Sequence, residues 1–506
     1  MKLERSKNAK RNIISGFLNK IILLILPFIV QTVMIYEIGA EYIGVKGLFT
    51  SILQVFNLAE LGFGTAIVYS MYKPIAENDK DTICALLNYY KKVYRNIGWI
   101  LFGIGIVVSF FIKYLIKGDY PKEINIYVVY YIYLFNTILS YWLYAYKTSL
   151  LNAFQRIDII NLISLIAQGL MYVLQIMVLV ITKNFYFYLV MTIVSTILNN
   201  ILISYNVDRI FPEYKCYGTL DKENKNEIKE KIFGLMIYRI CGTTRNSFDS
   251  IFISAFLGLT FTAMYSNYFF VITALIGILS VISSSLLAGV GNSMKIDTIE
   301  KNFNDMTIIN YVYMIIAGFC TVCCVCLYQP FMELWVGKDL LFSNGVAILF
   351  SLYFYLLKMG DIRAMYSDAA GLWWENRNRT ILEAVSNIVL NYVLVKIWGI
   401  YGILLATIIT IFIFGFVGSA IVLFKYYFKE GLKDFFVQHF VYAMITCIIC
   451  FITYQICSIY KGNILNVVVY RMIICCIVPI ILYYLFYCKT HIFKESMKWL
   501  TKKIRN

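Results

Sequence analysis

Histidine, proline and charged residues are scarce in this chain. Of its 506 residues only 2 are histidine and 6 are proline, and 15% are charged, whereas 60% are hydrophobic. Soluble domains carry about 25% charged residues, so the composition excludes an ordinary soluble protein. The longest polar stretch, residues 208–231, is too short to bury a core of its own, which excludes a soluble catalytic or ATP-hydrolysing domain.

Several motifs of catalysis and ligand binding are also missing. No G-x-x-x-x-G-K-[ST] sequence occurs, which excludes a P-loop nucleotide site. His439 and His491 lie outside any H-E-x-x-H or nucleophile motif, so we expect no histidine-based acid–base or zinc chemistry. The four cysteines within 320–326 have a spacing that hints at a metal site, but thiols in apolar runs usually behave as small apolar side chains. We therefore expect no metal and no cofactor. Any energy would come from a partner or from an ion gradient, with Na⁺ and H⁺ as the candidate ions.

What the chain does contain is a series of apolar runs. A transmembrane helix needs about 20 apolar residues, and fourteen runs of about that length or longer occur. This pattern predicts an all-α polytopic membrane protein with fourteen transmembrane helices. The runs cover residues 13–36, 43–72, 93–116, 124–147, 159–181, 185–207, 233–257, 262–290, 307–329, 342–366, 381–397, 401–424, 438–459 and 465–487.

The distribution of basic residues predicts the orientation in the membrane. Connections on the side of the N-terminus hold 31 of the 45 Lys and Arg residues, and the opposite connections hold 8. The positive-inside rule therefore predicts that both termini are cytoplasmic, and it accounts for the net charge of +16 without a nucleic-acid partner. Residues 78–92 are predicted to form a short amphipathic helix on the inner surface. The remaining six cations fall inside predicted spans: Lys20, Arg239, Arg245, Lys358, Arg363 and Arg471.

A weak internal repeat relates the two halves of the chain. With an offset of 219, Gly39–Val45 aligns with Gly258–Met264 at the turn after the first and the seventh span, and with an offset of 220 Tyr146 aligns with Tyr366. Two parallel lobes of six helices, the arrangement expected for alternating access, explain both matches. The predicted domains are an N-terminal lobe (1–207), a cytoplasmic linker (208–232), a C-terminal lobe (233–424), two further helices (438–487) and a basic cytoplasmic tail (488–506).

Cations inside spans are the candidate substrate-binding residues, because a charge in hydrocarbon costs about 2.5 to 3.5 kcal/mol. Under the repeat offset Lys20 aligns with Arg239, so the two would face one central cavity from opposite lobes. Arg contacts an anion in bidentate fashion and Lys as a point charge, which favours a compact anion such as a pyrophosphate. Arg245 is expected to help, while pairing with Asp249 at i,i+4. Snorkelling of the side chains is the alternative.

The tenth predicted span carries a second group of charges. Asp361 can pair with Lys358 at i,i+3, which leaves Arg363 available to bind substrate. A purely structural role near the cytoplasmic boundary has about equal weight. Acidic and amide groups at membrane depth are candidates for ion coupling, with hydrogen-bonded helix packing as the alternative: Glu60, Asp249, Asp361, Glu383 and Asn387.

Two segments resemble a known family. Residues 39–80 (GAEYIGVKGLFTSILQVFNLAELGFGTAIVYSMYKPIAENDK) and 371–407 (GLWWENRNRTILEAVSNIVLNYVLVKIWGIYGILLAT) are similar to bacterial polysaccharide-repeat translocases, the Wzx-type O-antigen flippases. That family shares a superfamily with multidrug and toxin extrusion (MATE) transporters and lipid II flippases. The resemblance implies a MATE-like fold in the bacterial cytoplasmic membrane and no enzymatic activity. It also implies that the helices of 438–487 form a groove for a lipid tail.

The function implied is translocation of undecaprenyl-pyrophosphate-linked oligosaccharide from the inner to the outer leaflet by alternating access, for O-antigen, capsule or exopolysaccharide synthesis. Expected partners are this lipid-linked glycan, membrane lipids, a polysaccharide polymerase and a chain-length regulator. A lipid II-type flippase and a cation-coupled exporter of small molecules are the alternatives of the same fold. A membrane glycosyltransferase is disfavoured by the lack of an extramembrane domain.

Overall fold

The computed structural model describes residues 22–57, 60–220, 245 and 247–505. These residues form helices joined by short connections, and no β-strand occurs among them. The predicted all-α polytopic fold is therefore confirmed. The chain divides into two compact units, Met1–Ala263 and Met264–Asn506.

The first unit contains nine helices in its described residues, and a tenth crosses into the second unit. In chain order they are α1 (Ile22–Glu37), α2 (Ala40–Asn57), α3 (Glu60–Glu77), α4 (Lys80–Ser109), α5 (Ile126–Trp142), α6 (Thr148–Ala153), α7 (Ile157–Thr182), α8 (Phe185–Ile210), α9 (Ser247–Phe256) and α10 (Leu259–Ile296).

The second unit continues with helices of similar length. In chain order they are α11 (Ile299–Val336), α12 (Asn344–Met359), α13 (Asp361–Ala369), α14 (Trp373–Trp398), α15 (Ile400–Thr410), α16 (Ser419–Leu423), α17 (Leu432–Ile459), α18 (Ile464–Tyr487) and α19 (His491–Arg505). Two π-helical segments, Ile411–Gly418 and Phe424–Phe428, flank α16.

Nine of the described helices or helix pairs are long and apolar enough to cross a membrane. One further pair, Ile126–Trp142 with Ala145–Ala153, qualifies as a span bent by 48°, which makes up to ten. The predicted number of fourteen stays a prediction, as do the boundaries of the predicted lobes.

The turns after α1 and α9 bear on the predicted repeat. Gly39 and Gly258 both have left-handed backbones, with φ of 106° and 100°. The Gly39 N–H donates to the Met34 carbonyl at 3.1 Å, and the Gly258 N–H donates to the Ile253 carbonyl at 3.0 Å. Donor and acceptor are thus both related by the offset of 219, which agrees with the predicted repeat. Such glycine caps end many helices, so the repeat itself stays a prediction. Glycine suits this conformation because a Cβ disfavours positive φ.

The predicted amphipathic helix on the inner surface is wrong. Residues 80–92 form the first part of the 30-residue helix α4, which continues into the third predicted span. Its apolar stripe, which includes Ile83, Leu87 and Tyr94, is buried inside the first unit. The stripe packs against protein rather than against a lipid surface, which explains why an amphipathic pattern here does not mean an interfacial helix.

Aromatic side chains fill the core of each unit. In the first unit the rings of Phe49 and Tyr130 lie 5.5 Å apart, and the Tyr130 hydroxyl donates to the Gly105 carbonyl at 2.9 Å. In the second unit the Tyr328 hydroxyl donates to the Tyr268 carbonyl. The hydroxyls of Tyr130 and Tyr328 thus each have a hydrogen-bond acceptor, as is usual for tyrosines in apolar surroundings.

Candidate functional site

A buried ion pair marks the junction of α12 and α13. The Lys358 Nζ lies 2.7 Å from Asp361 Oδ2, and the Lys358 side chain is only 3% exposed. Gly360 separates the two helices, which places both charges on adjoining turns. The predicted i,i+3 pairing is confirmed.

The pair leaves the lysine short of acceptors. An ammonium has three N–H donors, yet Asp361 is the one hydrogen-bond acceptor that Lys358 has among the described residues. The same Asp361 Oδ2 also accepts a hydrogen bond from the Tyr313 hydroxyl of α11. Since a buried polar hydrogen without a partner is costly, the site is suited to bind further acceptor oxygens.

Arg363 adds a second buried cation. It lies on α13, is 5% exposed, and donates from Nη2 to the Gly360 carbonyl at 3.3 Å. Lys358, Asp361 and Arg363 together carry two positive charges and one negative charge, so this trio, hereafter the basic cluster, has a net positive charge. Such a site favours an anion.

His439 of α17 lies beside the basic cluster and interacts electrostatically with Arg363. Its Nδ1 is 2.9 Å from the Phe435 carbonyl, and its Nε2 is 3.2 Å from the Asn310 Nδ2. A carbonyl can only accept and an amide nitrogen can only donate, so Nδ1 carries the proton and Nε2 accepts. His439 is therefore neutral in this arrangement and leaves the positive charge to Lys358 and Arg363.

Glu383 belongs to a different buried ion pair. Arg379, one turn earlier on α14, donates from Nη1 to Glu383 Oε2 at 2.8 Å. The same guanidinium donates to the Phe414 carbonyl at 3.0 Å and, through Nε, to Asn376 Oδ1 at 3.0 Å. The sequence analysis counted Arg379 among the cytoplasmic connections and so missed this partner.

The π-helical segment Ile411–Gly418 packs against this ion pair. A Cβ at Gly418 would lie 3.2 Å from the Arg379 Cγ, and one at Gly415 would lie 3.5 Å from Glu383 Oε1. The Gly418 distance is tight, so the lack of a side chain there makes room for Arg379, whereas the Gly415 distance is an ordinary van der Waals contact. With partners on both groups and close packing around them, the contacts favour a structural role for Glu383.

Asn387 and Asn391 continue the polar stripe of α14. Both are fully buried. Asn387 Nδ2 donates to Thr407 Oγ1 on α15 at 3.1 Å, and Asn391 Nδ2 donates to Asn387 Oδ1 at 3.2 Å. These contacts join α14 to α15 and favour hydrogen-bonded helix packing over ion coupling for Asn387.

The other predicted site residues are described only in part. Lys20 and Arg239 lie outside the described residues, and so does the side chain of Glu60. Asp249 is buried and Arg245 is half-buried, and each interacts with other groups of the protein. The predicted roles of all five stay predictions.

Of the four cysteines in 320–326, Cys326 is the one that belongs to a cluster of three cysteine thiols in the described part of the chain. Its Sγ and those of Cys457 and Cys475 lie within 4.8 Å of one another, and all three are buried. A closed zinc site uses four ligands, one more than this group supplies. Arg471, the remaining cation of the predicted spans, donates to the Cys326 carbonyl at 2.8 Å.

A cavity of about 600 Å³ lies between α11, α12, α17 and α18 in the second unit. Its lining includes Glu333, Lys338, Lys461 and Arg471. Apolar residues such as Val325, Ile348 and Val467 also line it, and the lipid-tail groove expected in 438–487 stays a prediction.

Comparisons with known proteins identify the fold. No protein-family profile and no curated protein sequence matches the chain. Among solved structures, the lipid II flippase MurJ in an inward closed conformation is 16% identical, with a TM-score of 0.68 over 94% of this chain and 98% of that one. An inward-facing multidrug resistance MATE family transporter of the MOP superfamily is 13% identical, with a TM-score of 0.67 over 81% and 96%.

A third similar structure is a MOP superfamily transporter from Pyrococcus furiosus Vc1, described as having a binding pocket of reverse polarity. It is 14% identical, with a TM-score of 0.58 over 84% of this chain and 96% of that one. The chain therefore has the fold of the MOP superfamily membrane transporters. Because the sequence identities are low, the similarity establishes the fold only.

Proposed function

We propose that the protein is a flippase that moves undecaprenyl-pyrophosphate-linked oligosaccharide repeat units from the inner to the outer leaflet of a bacterial cytoplasmic membrane. The observation that carries this proposal is the net positive basic cluster. Within the described part of the chain the buried Lys358 has Asp361 as its one acceptor, which leaves two N–H donors for an anionic ligand. A fold shared with a lipid II flippase supports it, as does the sequence resemblance of 39–80 and 371–407 to polysaccharide-repeat translocases.

In the proposed mechanism cations hold the pyrophosphate while the lobes alternate access. Lys20, Arg239 and Arg245 receive the headgroup from the cytoplasm, and Lys358 and Arg363 provide further positive charge. The glycan occupies an aqueous cavity and the lipid tail stays in the bilayer. Na⁺ or H⁺ coupling through Glu60 or Asp249 is part of the proposal, whereas the ion pair of Glu383 makes it the weaker coupling candidate.

A second candidate function is the export of small cations, favoured by the similarity to a multidrug transporter. A cation exporter needs carboxylates that are free to receive its cargo. Asp361 and Glu383, two carboxylates of the predicted spans, are each paired with a basic side chain. This pairing supports the anionic substrate over the cationic one. A lipid II-type substrate has the same pyrophosphate and stays open.

Gene deletion tests the proposed function directly. Lipid-linked repeat units should still be synthesised but should accumulate on the cytoplasmic leaflet, because synthesis precedes translocation. Radiolabelling the lipid fraction and probing outer-leaflet glycans with a lectin measures both steps. Loss of the repeat unit itself would favour an enzyme, and drug sensitivity with normal glycan export would favour the small-molecule exporter.

A further inference from the structure

A small aromatic cavity lies between α4 and the bent α5 segment of the first unit. Its volume is about 190 Å³. None of its residues belongs to the basic cluster or to the other residues proposed to bind the glycan headgroup. Its lining includes Lys91, Arg95, Trp99, Trp142, Tyr144 and Tyr146.

Two cations that have no counter-charge among the described residues define one wall of the cavity. Lys91 and Arg95 are one turn apart on α4, and both are exposed. Neither forms an ion pair with any residue that the structure describes, and the Lys91 Nζ lies 6.0 Å from the centre of the Tyr146 ring. By contrast, the neighbouring Lys147 lies 2.6 Å from Asp208. The cavity therefore holds positive charge that a ligand can neutralise.

The opposite wall is built by a break in the helix. Tyr144 has a left-handed backbone with φ of 53°, an uncommon conformation for a residue with a side chain. The helix axis bends here by 48°. The rings of Trp99 and Trp142 are 4.8 Å apart. The Nε1 of Trp142 is buried against Gly98 of α4, where a Cβ would lie 2.3 Å from it, so close packing against α4 fixes the indole ring in the cavity wall.

The surface beside the cavity is suited to lipid. Trp99, Ile100 and Phe102 on α4 are 57%, 60% and 39% exposed. Cations followed along a helix by exposed tryptophan and apolar residues are typical of the membrane interface, and the predicted topology puts this end of α4 on the cytoplasmic side. Basic pockets at that level bind lipid headgroups.

We propose that this cavity binds the phosphate headgroup of an anionic phospholipid from the cytoplasmic leaflet. Lys91 and Arg95 contact the phosphate oxygens, the tryptophan rings enclose the glycerol region, and the acyl chains extend along the exposed apolar face of α4. The lipid is a bound regulator or stabiliser of the first unit and is distinct from the transported substrate.

Native mass spectrometry of the purified full-length protein, titrated with phosphatidylglycerol or phosphatidylcholine, tests the proposal. The Lys91→Gln, Arg95→Gln double variant should bind phosphatidylglycerol at least tenfold more weakly, since a hydrogen bond to a charged group contributes about tenfold or more in affinity. Phosphatidylcholine has the same phosphate but also a choline cation, so it should bind the original protein more weakly and lose less affinity in the double variant. Trp142→Phe keeps a smaller aromatic ring in the wall and should give a smaller loss.

The matched control is the Lys92→Gln, Arg209→Gln double variant. It removes the same charge from exposed positions that do not line the cavity. Equal losses in the two double variants would overturn the site, because general surface charge would then account for binding. The charge-preserving Lys91→Arg, Arg95→Lys variant should keep the affinity, and a loss there would also count against it.

Soluble glycerol phosphate serves as the competitor that separates a lipid from a free phosphate compound. It should fail to displace phosphatidylglycerol at millimolar concentration, and efficient displacement would overturn the assignment to a lipid. Because the assay measures binding without transport, its failure leaves the proposed flippase function untouched, and a failed transport assay leaves this site untouched.

Discussion

Two buried ion pairs of the second unit differ in how fully their charges are satisfied. The Arg379 guanidinium has three acceptors, namely Glu383, the Phe414 carbonyl and Asn376. The Lys358 ammonium has one, Asp361, among the described residues. Low dielectric surroundings make an unsatisfied donor costly and a satisfied network rigid. The comparison distinguishes an ion pair that stabilises helix packing from an ion pair in which, among the described residues, the lysine keeps N–H donors for a ligand.

The largest expected effect comes from breaking the satisfied pair. Arg379→Met leaves the Glu383 carboxylate buried without its cation, so the free energy of unfolding should fall by about 3 to 5 kcal/mol. Thermal and denaturant unfolding in detergent measures this loss.

The control for Arg379→Met removes both charges. The Arg379→Met, Glu383→Met variant should recover much of the lost stability, because apolar groups of similar volume often replace a buried pair without net cost. A double variant as unstable as the single one would show that the pair is not the source of the effect.

The next effect concerns Lys20 and Arg239, the predicted anion ligands of the two lobes. If both contact one pyrophosphate, each Ala variant should weaken binding of undecaprenyl pyrophosphate by about 1.5 to 3 kcal/mol. The double variant should lose less than the sum, because the two groups share a ligand. Unchanged binding in a correctly folded double variant, measured by titration in nanodiscs, contradicts the shared site.

Breaking the unsatisfied pair should affect binding more than folding. Lys358→Met removes the spare donors, so undecaprenyl pyrophosphate should bind about tenfold more weakly or worse, while stability should fall less than in Arg379→Met. Lys396→Met removes an exposed cation from α14 and is the matched control. Equal affinity in the two variants would end the proposed role of Lys358.

The smallest effect is expected from Tyr313→Phe. This change removes one hydrogen bond to Asp361 and keeps the salt bridge to Lys358. Stability should fall by about 1 kcal/mol, with substrate affinity within about twofold of the original. A loss of affinity as large as that of Lys358→Met would instead place the tyrosine in direct contact with substrate.

The helices were predictable where one apolar run makes one helix. The run 159–181 corresponds to α7 (Ile157–Thr182), and 465–487 corresponds to α18 (Ile464–Tyr487). The prediction failed at residues 78–92, because amphipathic periodicity gives the direction of an apolar face but not whether lipid or protein covers it.

The candidate site was predictable only within one predicted span, 342–366. The spacing of Lys358 and Asp361 indicates their contact, since residues three apart share a helix face. Tyr313 and His439 come from α11 and α17, and no local pattern relates those helices to α13. The carbonyl of Phe414 became an acceptor for Arg379 through the π-helical segment, which the apolar run 401–424 does not reveal.

The buried thiols of Cys326, Cys457 and Cys475 have a practical consequence for anyone labelling this protein. A mercurial or a maleimide that reaches the group would act on α11, α17 and α18 together, and the signal would report damage to the packing rather than exposure of an introduced probe. Accessibility scans should therefore start from a background in which these three positions are alanine or serine, after that background has been tested for normal unfolding.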